Sequence, residues 1–187
     1  GTVKYPDGQK YVGQMKNNTE NGRGTLTLPN GHKYVGNWYN GRRQGLGTYT
    51  INKGKYSGLK YFGLWKNNKR NSLGTLKYPS GNKYVGHWKN DERNGYGILT
   101  SPNGEKYIGK WKNDHRNGHG TMTWPDKTKY VGQWKNDERS GKGTIIYSDK
   151  SKYIGQWKND TQNGRGTLKE SDGKIYKGIW KNGKLIK

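Results

Sequence analysis

The residues of this chain that are suited to bond-breaking chemistry are few, and their spacing does not favour it. His115 and His119 lie four positions apart, as paired zinc ligands on a helix do, but the residues around them predict a hairpin. The carboxylates recur in polar loops, as solvated charges do. There is no cysteine, no nucleophile-elbow serine motif and no phosphate-binding loop. We therefore expect no catalytic residues, no metal site, no cofactor and no enzymatic activity.

The residues suited to binding are aromatic rings and lysines, and these recur at a nearly constant spacing. Eight times the chain reads aromatic, any residue, Gly, any residue, Trp, with Met in place of Trp once. Six of the seven intervals between the leading tyrosines are 23 residues, and the interval from Tyr34 to Tyr61 is 27. A fixed period of this length indicates a tandem array, and such arrays usually bind partners along a surface.

The composition is strongly basic, poor in apolar residues and rich in aromatics. A hydrophobic fraction of 27% with a net charge of +23 is typical of disorder, but the 8 Trp, 15 Tyr and 31 Gly are periodic. No apolar run approaches the roughly 20 residues of a membrane span. The lack of cysteine favours a reducing compartment. We expect a cytoplasmic location, peripheral to a membrane or the cytoskeleton.

One repeat is enough to predict the fold class. Residues 83–89 alternate with period two and contain aromatic and β-branched side chains, which indicates a strand. The polar stretch Asn90–Gly95, which ends in Asn-Gly, predicts a hairpin connection, and residues 96–100 predict the second strand. A Pro-Asn-Gly turn at 102–104 leads to the next repeat. The chain is therefore predicted to be all-β, an elongated single-layer antiparallel β-meander of hairpin repeats.

Alternation along the strands sorts the side chains onto two faces. Tyr84, Gly86 and Trp88 share one face, and we expect the rings to lie across glycines of neighbouring strands. An aliphatic or other apolar residue at the position of Leu99 completes this aromatic face in each repeat. The candidate partner-binding groove consists of Tyr61, Trp65, Tyr84, Trp88, Tyr107, Trp111, Tyr130, Trp134, Tyr153 and Trp157.

The opposite face carries two columns of lysines, one before each tyrosine and one after each tryptophan. The candidate anion-binding residues are Lys83, Lys89, Lys106, Lys112, Lys129, Lys135, Lys152 and Lys158. A third cationic column is predicted in the hairpin loops, at Arg43, Arg70, Arg93, Arg116 and Arg139. Acidic residues partly balance the loops, whereas the lysine columns have no such balance.

These motifs resemble the MORN family (membrane occupation and recognition nexus), whose repeat of about 23 residues reads YxGxWxxGxxxGxG. Tyr84, Gly86, Trp88, Gly95 and Gly97 match that pattern. The resemblance covers the whole chain, so residues 1–187 are predicted to be a single array. It has about seven full repeats, partial repeats at both ends and a four-residue insertion within 50–60. Departures occur at Met15, Ser72, Lys127 and Lys150.

The resemblance implies one hairpin per repeat, a groove along one face and a non-catalytic role. Family members are similar to scaffolds and adaptors that join membranes, cytoskeletal structures and partner polypeptides, and phospholipid binding is associated with some of them. Some dimerise through the array, so a homodimer formed through the array ends is one expectation for this chain.

Two interpretations stay open for each face. The aromatic columns are either a partner-binding groove or the only core of the fold. The lysine columns are either a solvated face or a surface for phosphoinositide or phosphatidic acid. With 28 Lys against 8 Arg and no recognised motif, specific nucleic-acid binding is not expected, and nonspecific binding is the weakest alternative. The leading prediction is a scaffold that recognises an acidic or amphipathic protein segment.

Overall fold

The computed structural model describes the whole chain, Gly1–Lys187, as two compact units. The first unit comprises Gly1–Arg93 and the second comprises Asn94–Lys187. The chain contains 17 strands and no helix, so no helix is available that could cross a membrane. The prediction of an all-β fold built from hairpins is confirmed.

Eight strands lie wholly within the first unit, and each pairs antiparallel with the next along the chain. They are β1 (Thr2–Lys4), β2 (Lys10–Lys16), β3 (Thr19–Thr27), β4 (Lys33–Tyr39), β5 (Arg42–Thr50), β6 (Lys60–Lys66), β7 (Lys69–Lys77) and β8 (Lys83–Lys89). Each complete hairpin joins a strand of seven residues to one of nine.

The second unit repeats the same pattern. Strand β9 (Glu92–Thr100) contains the boundary between the units, and its later part pairs antiparallel with β10. Successive antiparallel pairs continue to the last strand. These strands are β10 (Lys106–Lys112), β11 (His115–Thr123), β12 (Lys129–Lys135), β13 (Glu138–Ile146), β14 (Lys152–Lys158), β15 (Thr161–Lys169), β16 (Ile175–Lys181) and β17 (Lys184–Leu185).

The hairpin turns are tighter than the sequence predicted. The expected connection over Asn90–Gly95 is wrong, because only Asn90 and Asp91 separate β8 from β9. Both residues have positive φ, 51° and 74°, as a two-residue turn of the mirror-image type requires. Asn and Asp tolerate this conformation, and their short side chains hydrogen-bond nearby backbone. The Asn-Gly pair that suggested the turn lies inside the second strand.

A bulge bends the second strand of each complete hairpin. In the second unit, Gly109 pairs with Gly120 but Trp111 pairs with Arg116, so β11 has two more residues than β10 across this interval. Gly118 lies in the extra segment with φ 93°, a conformation that other residues rarely adopt. The bend allows the tyrosine of the first strand to be enclosed between the two arms of its hairpin.

The core of each unit is a layer of tyrosine and tryptophan rings on one face of the strands. Tyr34, Tyr61, Tyr107, Tyr130 and Tyr153 each make edge-to-face contacts with the tryptophan of their own repeat and of the following one. In the second unit, the centroid of Tyr107 lies 5.2 Å from that of Trp111 and 5.5 Å from that of Trp134. Aliphatic side chains such as Met122 and Ile145 fill the remaining space and are buried. The predicted assignment of residues to an aromatic and an opposite face agrees with this alternation.

The turns between repeats are also regular. In the first, Gly8 N–H donates to the carbonyl of Tyr5 at 3.0 Å, and the carboxylate of Asp7 accepts from Gln9 N–H at 3.0 Å. The predicted insertion falls between β5 and β6, where nine residues, 51–59, replace the usual five. Ile51 N–H donates to the Leu59 carbonyl and Gly58 N–H donates to the Ile51 carbonyl, which closes the loop, so the added residues lengthen one turn without altering the strands.

The packing of tyrosine over glycine leads to a direct test. A Cβ added at Gly120 would lie 2.3 Å from the hydroxyl oxygen of Tyr107, whereas one added at Gly104 would have no atom within 4 Å. We expect Gly120→Ala to lower the free energy of unfolding by about 3 kcal/mol through overpacking. Gly104→Ala should lower it by about 1 kcal/mol, because φ there is 92°. Urea unfolding followed by tryptophan fluorescence measures both, and equal losses would contradict the packing.

Candidate functional site

The ten aromatic residues predicted to form a groove are buried. Tyr84 and Tyr130 are 0% exposed, and Trp134 is 4% exposed. The other seven are also at most 5% exposed: Tyr61, Trp65, Trp88, Tyr107, Trp111, Tyr153 and Trp157. The rings therefore form the core of their units. No partner is present, so their contact with a partner stays a prediction.

The polar ends of these rings also point inward. The hydroxyl of Tyr61 donates to the carbonyl of Leu64 at 3.1 Å, and Trp65 Nε1 donates to the carbonyl of Gly47 at 3.2 Å. The same bonds recur in other repeats, for example from Tyr130 and Trp134. These tyrosine hydroxyls donate to backbone carbonyls beside the paired glycines and do not face a groove.

A different set of side chains lies at the surface of the aromatic face. These side chains follow the second strand of each hairpin, two residues after the buried aliphatic position, and they are half-buried. We call this set the outer column: Leu28, Ile51 and Tyr78 in the first unit, and Ser101, Trp124, Tyr147 and Glu170 in the second. These positions were not among the binding residues predicted from the sequence. Their period-two offset from the aliphatic residue was a signal that could have identified them.

The arginines lie on the aromatic face and not in the loops as predicted. The guanidinium of Arg70 stacks 4.3 Å from the ring centroid of Trp88. Its Nε donates to Asp91 Oδ1 at 3.1 Å, and its Nη2 donates to the Asp91 carbonyl at 2.8 Å. The second unit contains two more pairs of this kind, Arg116 with Asp137 and Arg139 with Asp160.

These stacked arginines give the aromatic face its charge. A cation over a ring contributes about 0.5–2 kcal/mol, and a partly exposed ion pair adds less than about 1 kcal/mol. Burial would raise the pKa of Asp137, but hydrogen bonds from the Arg116 backbone, His115 and the Arg116 side chain lower it overall. Each Arg–Asp pair therefore connects one hairpin to the turn of the next.

A pocket of about 500 Å³ opens on the aromatic face of the first unit. Its walls include Tyr5, Leu28, Arg43, Tyr49 and Asn68. It contains both a member of the outer column and a stacked arginine. The aromatic face thus combines ring surface, aliphatic surface and guanidinium groups within one concave site.

The opposite face carries the predicted lysine columns. Seven of the eight candidate lysines are exposed, and Lys152 is half-buried. Between the columns runs a row of exposed apolar side chains, which we call the back row: Val12, Val35, Phe62 and Val85 in the first unit, and Val131 and Ile154 in the second. The back face therefore presents apolar and cationic groups together.

The histidines do not form a metal centre. His115 Nδ1 lies 2.5 Å from Asp137 Oδ2, while His119 is exposed on the back face beside Val131 and Lys142. No group of three or more side chains in the structure has the arrangement that would hold a metal ion.

Comparison with known proteins agrees with this architecture. The family model described as MORN repeat matches residues 11–33, 34–56, 61–83, 84–106, 107–129, 130–152, 153–174 and 176–185. The chain belongs to the MORN repeat family. A search of the curated proteins gives no match.

Two solved structures share the fold of this MORN-repeat chain. One is the SAS-4 (dCPAP) TCP domain of Drosophila melanogaster, in complex with a proline-rich motif of Ana2 (dSTIL). It is 13% identical, with a TM-score of 0.50 and coverage of 96% of this chain and 90% of that one. The other is the G-box domain of the microcephaly protein CPAP, 14% identical, with a TM-score of 0.51 and coverage of 97% and 99%. At this identity the likeness concerns the fold alone.

The buried tyrosines predict a loss of stability at alkaline pH. Burial raises the pKa of Tyr34 to about 12, although the Arg43 cation lowers it. Burial likewise raises the pKa of Tyr61, Tyr107 and Tyr130. An unfolded tyrosine ionises near pH 10, so above that pH the unfolded state binds fewer protons than the folded state. Stability is therefore complete below about pH 10 and decreases as the pH rises towards the folded pKa.

Tyr34→Phe tests this linkage at a single ring. The variant loses the hydrogen bond from Tyr34 to the Asn37 carbonyl, so we expect lower stability at pH 8 by about 1 kcal/mol. Between pH 10 and 12 its stability should fall less steeply than that of the wild type, by at most about 1.4 kcal/mol per pH unit. Urea unfolding across this range provides the measurement, and parallel curves would contradict the assignment.

Proposed function

We propose that this chain is a non-catalytic scaffold that holds an extended acidic segment of a partner protein along its aromatic face. The observation that carries the proposal is the outer column, in which five of the seven half-buried side chains are apolar or aromatic, beside stacked arginines. Apolar anchors flanked by cations are typical of surfaces that bind amphipathic acidic chains. Membership of the MORN repeat family supports a binding role over a catalytic one.

The spacing of the repeats supports an extended segment. One hairpin advances a sheet by two strands, which is about 9.6 Å at the usual strand separation. A polyproline II helix turns once every three residues and rises about 3.1 Å per residue, so one of its faces recurs about every 9.3 Å. Within each unit, a segment in this conformation would present one residue to each member of the outer column.

A protein of the same fold supports the same kind of ligand. The SAS-4 TCP domain is in complex with a proline-rich motif. Proline-rich segments lose little entropy on binding and dock well on aromatic surfaces. For this chain, the net charge of +23 favours a segment that also contains Asp or Glu.

The ten buried aromatic residues support this groove from beneath. In the proposal, Trp124 and Tyr147 contact the partner directly in the second unit. The core rings Tyr130, Trp134 and Trp157 hold the neighbouring guanidiniums at the correct height: Arg139 lies 5.9 Å from the Trp124 ring and 4.5 Å from the Trp157 ring. The partner segment would therefore contact the outer column and the arginines at the same time.

A selection from a library of 12-residue peptides at 0.15 M salt tests the proposal. We expect the selected peptides to be rich in Asp or Glu together with Pro or apolar residues. Trp124→Ser should weaken their binding about tenfold or more, because a half-buried aromatic anchor is lost. Fluorescence anisotropy with labelled peptides provides the affinities.

Ile154→Ser is the matched control, because it removes an exposed apolar side chain from the back row. It should leave the affinity of the selected peptides unchanged. Selected peptides without acidic residues, or an equal loss of affinity in both variants, would refute the proposed binding face.

The second candidate function is association with an anionic membrane, with phosphoinositide or phosphatidic acid as the lipid. The observation that favours it is the back row of exposed apolar side chains lying between two exposed lysine columns. Such a surface inserts apolar groups at the headgroup level and gains about 1 kcal/mol for each nearby Lys. A chain that used both faces would join a membrane to its protein partner at the cytoplasmic surface.

Charge reversal tests the membrane candidate. The triple variant Lys89→Glu, Lys112→Glu and Lys135→Glu should lose co-sedimentation with phosphoinositide-containing vesicles at 0.15 M salt, where screening already limits long-range attraction. The control carries the same charge change at Lys53, Lys127 and Lys150 in the turns between repeats, and it should still bind. If both triple variants behave alike, only net charge matters and the lysine columns have no special role.

A further inference from the structure

One of the stacked arginines lacks the carboxylate that the others have. Asp91, Asp137 and Asp160 occupy the second position of the hairpin turn that follows Arg70, Arg116 and Arg139 respectively, and each accepts hydrogen bonds from its arginine. The corresponding position for Arg43 is Asn68. This repeat has therefore replaced a negative charge by a neutral amide of the same size.

The substitution preserves the backbone and changes only the electrostatics. Asn68 Oδ1 accepts from the Arg43 backbone N–H at 2.8 Å, the same distance as that from Arg70 N–H to Asp91 Oδ1. Asn68 has φ 69°, close to the 74° of Asp91. The turn thus keeps its shape, and no hydrogen bond or ion pair is made by the guanidinium of Arg43.

Aromatic rings hold the Arg43 guanidinium in place. Its central carbon lies 4.5 Å from the ring centroid of Trp65, 5.6 Å from that of Tyr34 and 5.8 Å from that of Tyr49. These contacts use none of the guanidinium N–H groups as hydrogen-bond donors, so the N–H groups are available to an acceptor. Burial lowers the pKa of Arg43, while Tyr34, Tyr49 and Asp91 raise it. A nearby anion would stabilise this partly desolvated cation.

Arg43 lines the pocket of about 500 Å³ on the aromatic face of the first unit. Another part of the pocket wall contains Asp7 and Glu20, and Glu20 accepts a hydrogen bond from the Tyr5 hydroxyl. Glu20 stands where later repeats have arginine. The pocket therefore has a cationic wall at Arg43 and an anionic wall at Glu20 and Asp7.

We propose that the pocket at Arg43 is a carboxylate-binding subsite that receives an Asp or Glu side chain, or a free C-terminus, of the partner segment. The bound carboxylate takes the place that Asp91 has beside Arg70, and it accepts from the guanidinium edge. A donor or cationic group that follows it in the segment faces Glu20 and Asp7. This inference rests on the proposed function, since it identifies one anchor point of the same binding face.

The first test uses a small probe and does not require the partner. Trp38 also lines the pocket, and Trp65 stacks on Arg43. N-acetyl-glutamate methylamide is titrated into the wild-type chain while the indole Nε1–H resonances of these two residues are followed by NMR. We expect saturable shifts at these two indoles, at least threefold stronger in affinity than with the glutamine analogue. Inorganic phosphate forms a third arm, and a phosphate that binds more tightly than the glutamate probe would overturn the assignment to a carboxylate.

Asn68→Asp is the decisive variant, because it supplies internally the carboxylate that the other repeats have. It should fold normally, since Asp occupies the same turn position in those repeats, and it should weaken the glutamate probe about tenfold. Asp137→Asn is the matched control, which removes the carboxylate beside Arg116 and should leave the response at Trp38 intact. Equal titration of wild type and Asn68→Asp would overturn the inference.

The peptides selected for the proposed function separate the two claims. Changing the acidic residue of such a peptide to its amide should weaken binding to the wild type about tenfold, and should weaken binding to Asn68→Asp much less. If the peptides bind with equal loss in both proteins, the proposed function stands and the Arg43 subsite fails. If no peptide binds the aromatic face while the glutamate probe still binds at Arg43, the subsite stands and the partner proposal fails.

Discussion

The packing of one tyrosine ring over two paired glycines is the constraint on which the structure depends. In the second unit, the hydroxyl of Tyr107 lies over Gly109 and Gly120 and donates to the carbonyl of Lys110 at 3.0 Å. Any side chain at either glycine would occupy the space of the ring. Since a strand pair without Cβ atoms has little apolar surface, the tyrosine supplies the core that the glycines lack. Tryptophan rings then pack edge to face against the tyrosine rings. These contacts allow a chain with few apolar residues to form a core.

Because the core consists of these rings, it also determines which side chains are left at the surface to bind a partner. The rings that identify the family are buried in the core. The groups that stay accessible to a partner are therefore those around the rings: the outer column, the stacked arginines and the back row. These positions vary between repeats without cost to the fold. The exchange of Asp91 for Asn68 between two repeats changes the charge around an arginine and leaves the turn geometry intact. The repeats thus share one backbone structure and differ in the side chains that they present at the surface.

Local patterns predicted the first strands, the two faces and the buried apolar positions well. The alternation in residues 83–89 and the recurrent aliphatic residue depend only on neighbours in the chain, so they can be read directly. The hairpin turn was misplaced because the Asn-Gly pair is a stronger turn signal than Asn90–Asp91. Its glycine instead provides the positive φ of a bulge, φ 99° at Gly95. The arginines were misplaced because their long aliphatic stems allow them to stack on rings, which a charge pattern does not reveal.

The sequence by itself determined the period, the all-β class and the two faces of the first strand of each hairpin, because these follow from alternation and from glycine spacing. Only the tertiary structure decided which aromatic residues are covered and which are half-buried. It also decided which carboxylate meets which arginine. The physical reason is that burial of Tyr61 depends on Trp88, and pairing of Arg70 depends on Asp91, residues that lie on the following hairpin and come into contact only when the strands pair.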